Sequence, residues 1–279
     1  MFEYNAYQDI LAFKSEMIPY LEKEEAVNGL PLGILMNLSE RDEPFVMACI
    51  RKNEKPCMML LQTHPRQIIV SVFSTLLENE RKEITNLIHQ SINHIPGLIG
   101  EKEVVFAIAE RSALIRNQTV KIGMDQRIYQ LKNLRKLPSE SGKLRWLVKE
   151  DLPIIQNWVY EFSHDVHDPM DRPQAKEKAL DILEKGYLAG WEVDGELVSM
   201  ANATRPTKSN ITINFVYTPL EHRKKGYASD CVSDLTQQML NKGYQTTSLY
   251  TDITNPTSNK IYMEIGYEPI RDSILVFFE

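Results

Sequence analysis

The residues best suited to chemistry form one short turn, residues 223–228, which reads Arg-Lys-Lys-Gly-Tyr-Ala. In residues 211–216 before it, Ile, Ile and Phe alternate with Thr, Asn and Val, the period of two expected of a strand. Residues 228–239 after it carry apolar side chains at helical spacing, so a helix is predicted to begin near Gly226. The first N–H groups of a helix have no partner within it, and a glycine lets the backbone approach a ligand closely. The turn is therefore predicted to bind an anion, with a phosphate group as its natural occupant.

A second group of polar residues follows a predicted strand at residues 246–252. Asn255 suits a helix N-cap and a proline follows it, so a short helix is predicted over residues 255–265, with a glycine to end it. Ser258 and Tyr262 are four residues apart and share one stripe of this helix. Because a separate stripe of isoleucines can pack against the core, the Ser258 and Tyr262 stripe is free to face a ligand.

Together, these two segments resemble the GNAT superfamily of N-acetyltransferases. The turn matches the family's pyrophosphate-binding pattern Gln/Arg-x-x-Gly-x-Gly/Ala, and neither a P-loop nor a Gly-x-Gly-x-x-Gly pattern is present. The later segment carries the family's Asn, small residue, Tyr and Gly-aromatic pair in the same order and spacing. The resemblance covers about residues 140–279. It implies an enzyme that transfers an acetyl group from acetyl-CoA directly to a primary amine; a non-catalytic acyl-CoA-binding or sensing module is the alternative.

The resemblance also implies which residues hold the cofactor. Backbone N–H groups at the end of the strand would stabilise the negative charge that develops on the thioester carbonyl. Tyr262 is implied as the acid that protonates the departing thiolate of coenzyme A. Pro219 and Arg223 are separated by one residue more than in the commonest family pattern. The assignment of individual strand N–H groups can therefore shift by one position. The implied acetyl-CoA contacts are Val216, Tyr217, Thr218, Arg223, Lys224, Lys225, Gly226, Tyr227, Ala228, Ser229, Asn255, Ser258 and Asn259.

No general base for the acceptor amine is evident in the sequence. Some family members use a glutamate on the strand before the turn, but this strand offers only Thr212 and Asn214. Other candidates are Glu192, Glu221, His164 and His167. The histidines at 164 and 167, with their aspartate neighbours, could instead bind zinc. Their spacing falls short of the His-Glu-x-x-His pattern, so a polar loop beside the acceptor is favoured and no metal site is predicted.

The domain organisation follows from a polar stretch at residues 134–143 that contains proline, serine and glycine. We predict two domains, residues 1–138 and 139–279. In the second domain the predicted order is one strand, two helices, three strands, then helix, strand, helix and strand. This order predicts an α/β fold with a mixed, mostly antiparallel sheet flanked by helices, which is also the GNAT order.

The N-terminal region is predicted to resemble a second, diverged GNAT-like domain. Neither family motif occurs in it, so no cofactor site is expected there. Residues 95–100, which read Ile-Pro-Gly-Leu-Ile-Gly, are predicted to be a turn. The predicted helices are residues 7–26, 76–92 and 101–115, and the predicted strands are residues 45–51, 57–62, 68–73 and 126–131.

Composition restricts the partners and the compartment. The 279 residues carry a net charge of −6 and no long basic run, which argues against a nucleic-acid partner and gives no reason to expect a membrane surface. No signal-peptide pattern or long apolar segment is present, so a cytoplasmic location is expected. Three cysteines without metal spacing predict reduced core thiols. The expected partner is a small-molecule or peptide amine acceptor, and a homodimer is left open.

Overall fold

The computed structural model describes residues 1–166 and 168–279, so the base candidate His167 lies outside the described residues. The chain divides into two compact units. Unit 1 comprises Met1–Ile128, Thr251–Asn255 and Pro269–Glu279, and unit 2 comprises Tyr129–Tyr250 and Pro256–Glu268. None of the helices in the described part of the chain is long and apolar enough to cross a membrane.

Unit 1 is a sheet with helices on both faces. Its elements are β1 (Phe2–Ala6), α1 (Ile10–Leu21), α2 (Gly29–Asn37), β2 (Val46–Lys52), β3 (Lys55–His64), β4 (Gln67–Val72), α3 (Glu78–Ser91), β5 (Gly97–Glu101), α4 (Lys102–Arg116), β6 (Val120–Leu131) and β12 (Glu268–Phe278). The strand order is β1-β2-β3-β4-β5-β12-β6. Pairing is antiparallel from β1 through β4 and between β5 and β12, and parallel between β4 and β5.

The central strand β3 shows how the two faces are filled. Met58 and Leu60 pack in one apolar cluster with α3 and α4, whereas Met59 and Leu61 pack in another with α1 and α2. All four side chains are buried, because successive residues of a strand point to opposite faces and both faces are covered. Each such side chain contributes about 1.5–3 kcal/mol through the apolar surface that it removes from water.

The prediction of a turn at residues 95–100 is wrong, because residues 97–101 form β5. The strand lies between β4 and β12, and both neighbouring strands come so close to Gly97 and Gly100 that no side chain larger than a hydrogen atom fits at these two positions. A Cβ atom on Gly100 would lie 2.2 Å from the Val70 carbonyl oxygen, and one on Gly97 would lie 2.6 Å from that of Val276. The glycines that suggested a turn are thus required by close strand packing.

Three further elements of unit 1 differ from the prediction. The predicted helix at residues 7–26 is shorter, since α1 ends at Leu21 and one 3₁₀ turn, Glu22–Glu24, follows. Strand β1 and helix α2 were not predicted; α2 contains two glycines and one proline, Pro31, which lies in its first turn where a missing N–H costs no hydrogen bond.

Unit 2 has the predicted element order except for the last strand, which belongs to unit 1, and it contains the turn at residues 223–228 and Tyr262. Its strands lie in the order β11-β10-β9-β8-β7, with β10 and β11 parallel and the other pairs antiparallel. Helices α7 and α8 pack on one face of this sheet, against Ala201 and Ala203 of β9, and α5 and α6 pack on the other, against Leu197 and Met200. Its elements are β7 (Lys143–Trp146), α5 (Leu152–Asp165), α6 (Arg172–Glu184), β8 (Leu188–Val193), β9 (Glu196–Thr204), β10 (Asn210–Tyr217), α7 (Tyr227–Asn241), β11 (Thr246–Asp252) and α8 (Pro256–Ile265).

Both units have helices on both faces of a mostly antiparallel sheet, so the predicted mixed α/β fold class is confirmed. The last strand, β12, forms part of unit 1 because residues 273–277 pair with β5. The predicted boundary at residue 139 assigns these residues to the second domain instead. The division of the chain into domains 1–138 and 139–279 stays a prediction.

Candidate functional site

The turn after β10 has the conformation that an anion site requires. One 3₁₀ turn, Leu220–His222, leads into it, Lys224 and Gly226 both have positive φ angles of 63° and 90°, and α7 begins at Tyr227. Within the described residues, no hydrogen-bond acceptor faces the backbone N–H groups of residues 224–229. These groups point from the positive end of the α7 dipole, where they stabilise a bound anion.

Cationic side chains surround this helix start. Lys224 and Lys225 are exposed, and the Lys136 Nζ atom donates a hydrogen bond of 3.0 Å to the Ser229 hydroxyl. A Cβ atom built on Gly226 meets no atom within 4 Å, so open space lies over the turn. Lys136 was not predicted as part of the site, because it lies far away in the sequence and within a polar stretch without a motif.

The Arg223 side chain holds the turn rather than pointing at the open space. Its Nε atom donates to the Thr218 carbonyl oxygen at 2.8 Å, and its Nη2 atom forms an ion pair with Asp165 at the end of α5. The Ser199 hydroxyl donates to the Tyr217 carbonyl oxygen at 3.0 Å and lies 2.9 Å from the Thr218 hydroxyl. These contacts fix both ends of the turn, which leaves the backbone N–H groups and the lysines to bind an anion.

Strands β10 and β11 part just before the turn. Their parallel pairing extends from Asn210 with Thr246 to Ile213 with Leu249, but β10 continues to Tyr217. A β-bulge interrupts the pairing of β10 with β9 between residues 214 and 217, where Phe215 has a φ angle of 48°. The bulge turns the backbone N–H groups of residues 216–218 away from a regular ladder. An extended ligand can pair with such an exposed strand edge.

Tyr262 lies on α8 in the apolar cluster that also contains Cys231 and Val232 of α7, with Val216 and Tyr227 packed against it. The two family-like motifs therefore meet in one core. The Tyr262 side chain is 9% exposed, and no hydrogen bond to its hydroxyl is found among the described residues. Burial raises the pKa of Tyr262, with a smaller contribution from Tyr267, so the phenol stays protonated at neutral pH.

The other predicted cofactor residues occupy the starts of α7 and α8. Tyr227 and Ala228 are half-buried and Ser229 is buried in the first turn of α7. Ser258 and Asn259 are half-buried in the first turn of α8, and the exposed Asn255 donates its backbone N–H to the Asp252 carbonyl oxygen at 3.1 Å.

A cavity of about 310 Å³ lies between α5 and residues 217–223. The aromatic rings of Trp158, Tyr160 and Tyr217 line it, together with the carboxylates of Glu161, Asp165 and Glu221. The Tyr217 hydroxyl donates to the Glu161 carboxylate at 2.7 Å; burial, followed by this bond, raises the pKa of Tyr217. Because Tyr217 and Arg223 line the cavity and also belong to the predicted cofactor residues, the cavity adjoins the turn.

Glu161 was missed by the sequence reasoning, although a signal was present. Asn157, Glu161 and His164 or Asp165 recur at helical spacing on α5, opposite the apolar side chains that pack on the sheet. This polar stripe of α5 lines the cavity.

The base candidates have different surroundings. Glu192 pairs with Arg145 at 2.8 Å and with Lys143 at 3.2 Å, and these hydrogen bonds lower the pKa of its carboxyl, which argues against Glu192 as a base. Glu221 and His164 line the cavity, and the His164 ring lies 2.9 Å from the Tyr160 carbonyl oxygen.

Two other candidates from the sequence lie in the sheet. Thr212 is buried beside the Ser248 hydroxyl, and the Asn214 amide oxygen accepts a hydrogen bond of 2.9 Å from Asn202. In the described ranges, no group of three or more histidine, cysteine, aspartate and glutamate side chains is placed to hold a metal ion.

Residues 152–267 match the model of the Acetyltransferase (GNAT) family. The fold is similar to that of a GNAT-family acetyltransferase from Colwellia psychrerythraea, at 14% identity over 99% of each chain and a TM-score of 0.62. It is also similar to a GCN5-related N-acetyltransferase from Sphaerobacter thermophilus, at 12% identity over 99% of this chain and 94% of that chain, with a TM-score of 0.62. A tandem GNAT protein from the clavulanic acid biosynthesis pathway matches at 11% identity over 100% of this chain and 98% of that chain, with a TM-score of 0.57. None of the curated proteins compared with the chain matches it in sequence.

Because the tandem protein matches along the whole chain, the fold likeness includes the N-terminal region, as predicted. The family match covers both motifs, the cavity and Tyr262. The match to the acetyltransferase (GNAT) family therefore extends over residues 152–267 of this chain.

Proposed function

We propose that the protein is an acetyl-CoA-dependent N-acetyltransferase that transfers the acetyl group directly to a primary amine. The observation that carries this proposal is the row of N–H groups at residues 224–229. These groups have no hydrogen-bond acceptor among the described residues, and they lie under open space and between lysines. Backbone donors at a helix start, with cations beside them, suit a pyrophosphate group. Next to the turn, strands β10 and β11 separate, and the gap between them suits the extended pantetheine arm of acetyl-CoA.

The residues of the site then take separate roles. Acetyl-CoA, when bound, supplies the acetyl group as a thioester. The N–H groups of residues 224–229 hold its pyrophosphate, and those of Val216, Tyr217 and Thr218 at the bulge orient the carbonyl and stabilise its developing negative charge. Asn255, Ser258 and Asn259 are proposed to border the same ligand. The attacking amine gives up one proton to a base or to water, and the Tyr262 hydroxyl, which is protonated at neutral pH, gives one proton to the departing sulfur.

Direct transfer is supported by the state of the thiols. All three cysteines are buried, and burial raises the pKa of Cys49 to about 12 and that of Cys57 to about 11, and also raises that of Cys231. Because the thiolate is the nucleophilic form of cysteine, these residues are poor candidates for a covalent acyl intermediate. The acceptor amine is then the group that attacks the thioester.

The test is a screen of primary amines for release of free thiol from acetyl-CoA, together with a melting experiment. We expect acetyl-CoA to raise the melting temperature, since it binds only the native state, and some amines to accelerate thiol release. A melting shift without amine-dependent thiol release for any acceptor would favour the alternative, a non-catalytic acyl-CoA-binding module. Absence of both effects would contradict the proposal.

A further inference from the structure

The cavity beside the turn carries negative charge that the described residues only partly neutralise. Asp165 is paired with Arg223, but neither Glu161 nor Glu221 has a cationic partner among the described residues. In the described part of the chain, Glu161 accepts hydrogen bonds from two neutral groups, the Tyr217 hydroxyl at 2.7 Å and the Asn157 amide at 2.9 Å. Carboxylates in a concave site attract cations and repel anions, so this cavity does not suit the pyrophosphate of a cofactor.

Aromatic rings make the cavity more favourable for a cation. Trp158, Tyr160 and Tyr217 line it, and the face of such a ring attracts a cation within about 6 Å of its centroid. The Tyr160 ring already has one cation over it, because the Arg172 guanidinium lies 4.3 Å from its centroid. The Arg223 guanidinium lies 5.7 Å from the centroid of Tyr217.

A buried oxygen without a partner in the described structure lies on the sheet face that carries the cavity residue Tyr217. Asn202 is 2% exposed, and its amide nitrogen donates to Asn214, but its Oδ1 atom is buried and has no partner among the described residues. Asn202 is two residues from Met200, the register partner of Tyr217, so its side chain and that of Tyr217 emerge on one face about 7 Å apart along the strand. A buried acceptor atom without a donor favours a ligand that carries N–H groups.

We infer that the cavity binds the acceptor and that this acceptor is a small amine with a second cationic group. This inference rests on the proposed function. One amino group reaches the bulge of β10, near Asn202 and Asn214. The second ammonium group lies among Glu161, Glu221 and the aromatic rings. A volume of about 310 Å³ suits a small molecule of this kind, since ligand sites start at roughly 300 Å³.

The test compares three amines of one length by calorimetry, with coenzyme A present so that no acetyl transfer occurs. The probes are 1,4-diaminobutane, 4-aminobutan-1-ol and 4-aminobutanoate, which end in a positive, a neutral and a negative group. We expect the diamine to bind on the order of tenfold more tightly than the amino alcohol, and the amino acid to bind most weakly.

A matched pair of variants locates the effect. Glu221→Gln removes an exposed cavity carboxylate that makes no hydrogen bond or ion pair in the described structure, and it should reduce the preference for the diamine by about threefold or more. Glu177→Gln removes an equally unpaired, exposed carboxylate on α6, outside the cavity, and should leave the preference unchanged. A melting curve of each variant checks that it is folded.

The outcomes separate this inference from the proposed function. Equal or tighter binding of the amino alcohol or the amino acid, no binding of the diamine at millimolar concentration, or equal effects of the two variants would overturn the inference, even if other amines are acetylated. Diamine binding that depends on Glu221, without acetyl transfer from acetyl-CoA, would support the cavity and contradict the function.

Discussion

Removal of the Tyr262 hydroxyl separates catalysis from packing. The ring lies in the core that joins α7 and α8, and Tyr262→Phe keeps this ring. Since no hydrogen bond to the hydroxyl is found among the described residues, its loss should change the free energy of unfolding by less than about 1 kcal/mol. If the hydroxyl protonates the departing sulfur, the same change should reduce kcat about 10²–10⁴-fold, which corresponds to a barrier higher by about 2.7–5.4 kcal/mol.

Tyr267→Phe is the matched control. Tyr267 is also a buried tyrosine, and its ring centroid lies 6.1 Å from that of Tyr262. Its hydroxyl, however, lies 2.8 Å from each of the hydroxyls of Thr236 and Thr247. Removal of this hydroxyl leaves two buried groups with fewer partners and should cost about 1–3 kcal/mol of stability, with kcat within a few-fold of wild type.

The assay measures thiol release with an acceptor from the amine screen, acetyl-CoA affinity by calorimetry and unfolding by urea for all three proteins. The expected pattern is reciprocal: Tyr262→Phe loses turnover and keeps stability, and Tyr267→Phe does the opposite, while both bind acetyl-CoA. If Tyr262→Phe turns over within a few-fold of wild type, the proton comes from another source, such as water, and the role given to Tyr262 is wrong.

Three further predictions follow from the fold and the turn. Gly226→Asp adds a negative charge at the proposed pyrophosphate site and should abolish the melting shift caused by acetyl-CoA. The control is Gly195→Asp, at another glycine with a positive φ angle and open space around it. It adds the same charge and similar strain but should keep the melting shift. Titration should give one acetyl-CoA per chain, because residues 1–138 carry neither motif, and two sites by calorimetry would contradict this. Gly100→Ala should lower the free energy of unfolding by about 3 kcal/mol in urea titrations, because its Cβ atom would lie 2.2 Å from the Val70 carbonyl oxygen; a change below about 0.5 kcal/mol would refute the close packing of β5.

Local patterns predicted the elements that carry the site. The predicted strand at residues 246–252 corresponds to β11, and the helix predicted near Gly226 begins at Tyr227. Alternation of side chains, capping residues and glycine positions depend on a few neighbours in the sequence, so they are visible without knowledge of distant contacts.

Strand β5 and the pairing of β12 depend on distant contacts and were not predicted. Strand β5 reads as a turn until β4 and β12 are seen on both sides of Gly97 and Gly100. Strand β12 comes last in the chain but pairs with β5, more than 170 residues earlier in the sequence, which no local pattern indicates. Such pairings are decided by tertiary packing rather than by propensity.

The candidate site shows the same division. The motif predicted Gly226 and Tyr262 as site residues from their types and spacing, but it did not show that the Arg223 side chain holds the turn. The cavity carboxylate Glu161 meets Tyr217 across 56 positions of sequence, so only the fold brings them together.

The most direct test of the proposal mixes the intact protein with acetyl-CoA, first alone and then with an acceptor amine, and follows both the chain and the amine by mass spectrometry. Direct transfer predicts an unmodified chain in both mixtures and an amine that gains one acetyl group, with one thiol released for each acetyl group transferred. An acetylated chain that forms before the amine is added and transfers its acetyl group once the amine is present would contradict direct transfer, and an unmodified amine across the whole panel would contradict the proposed activity.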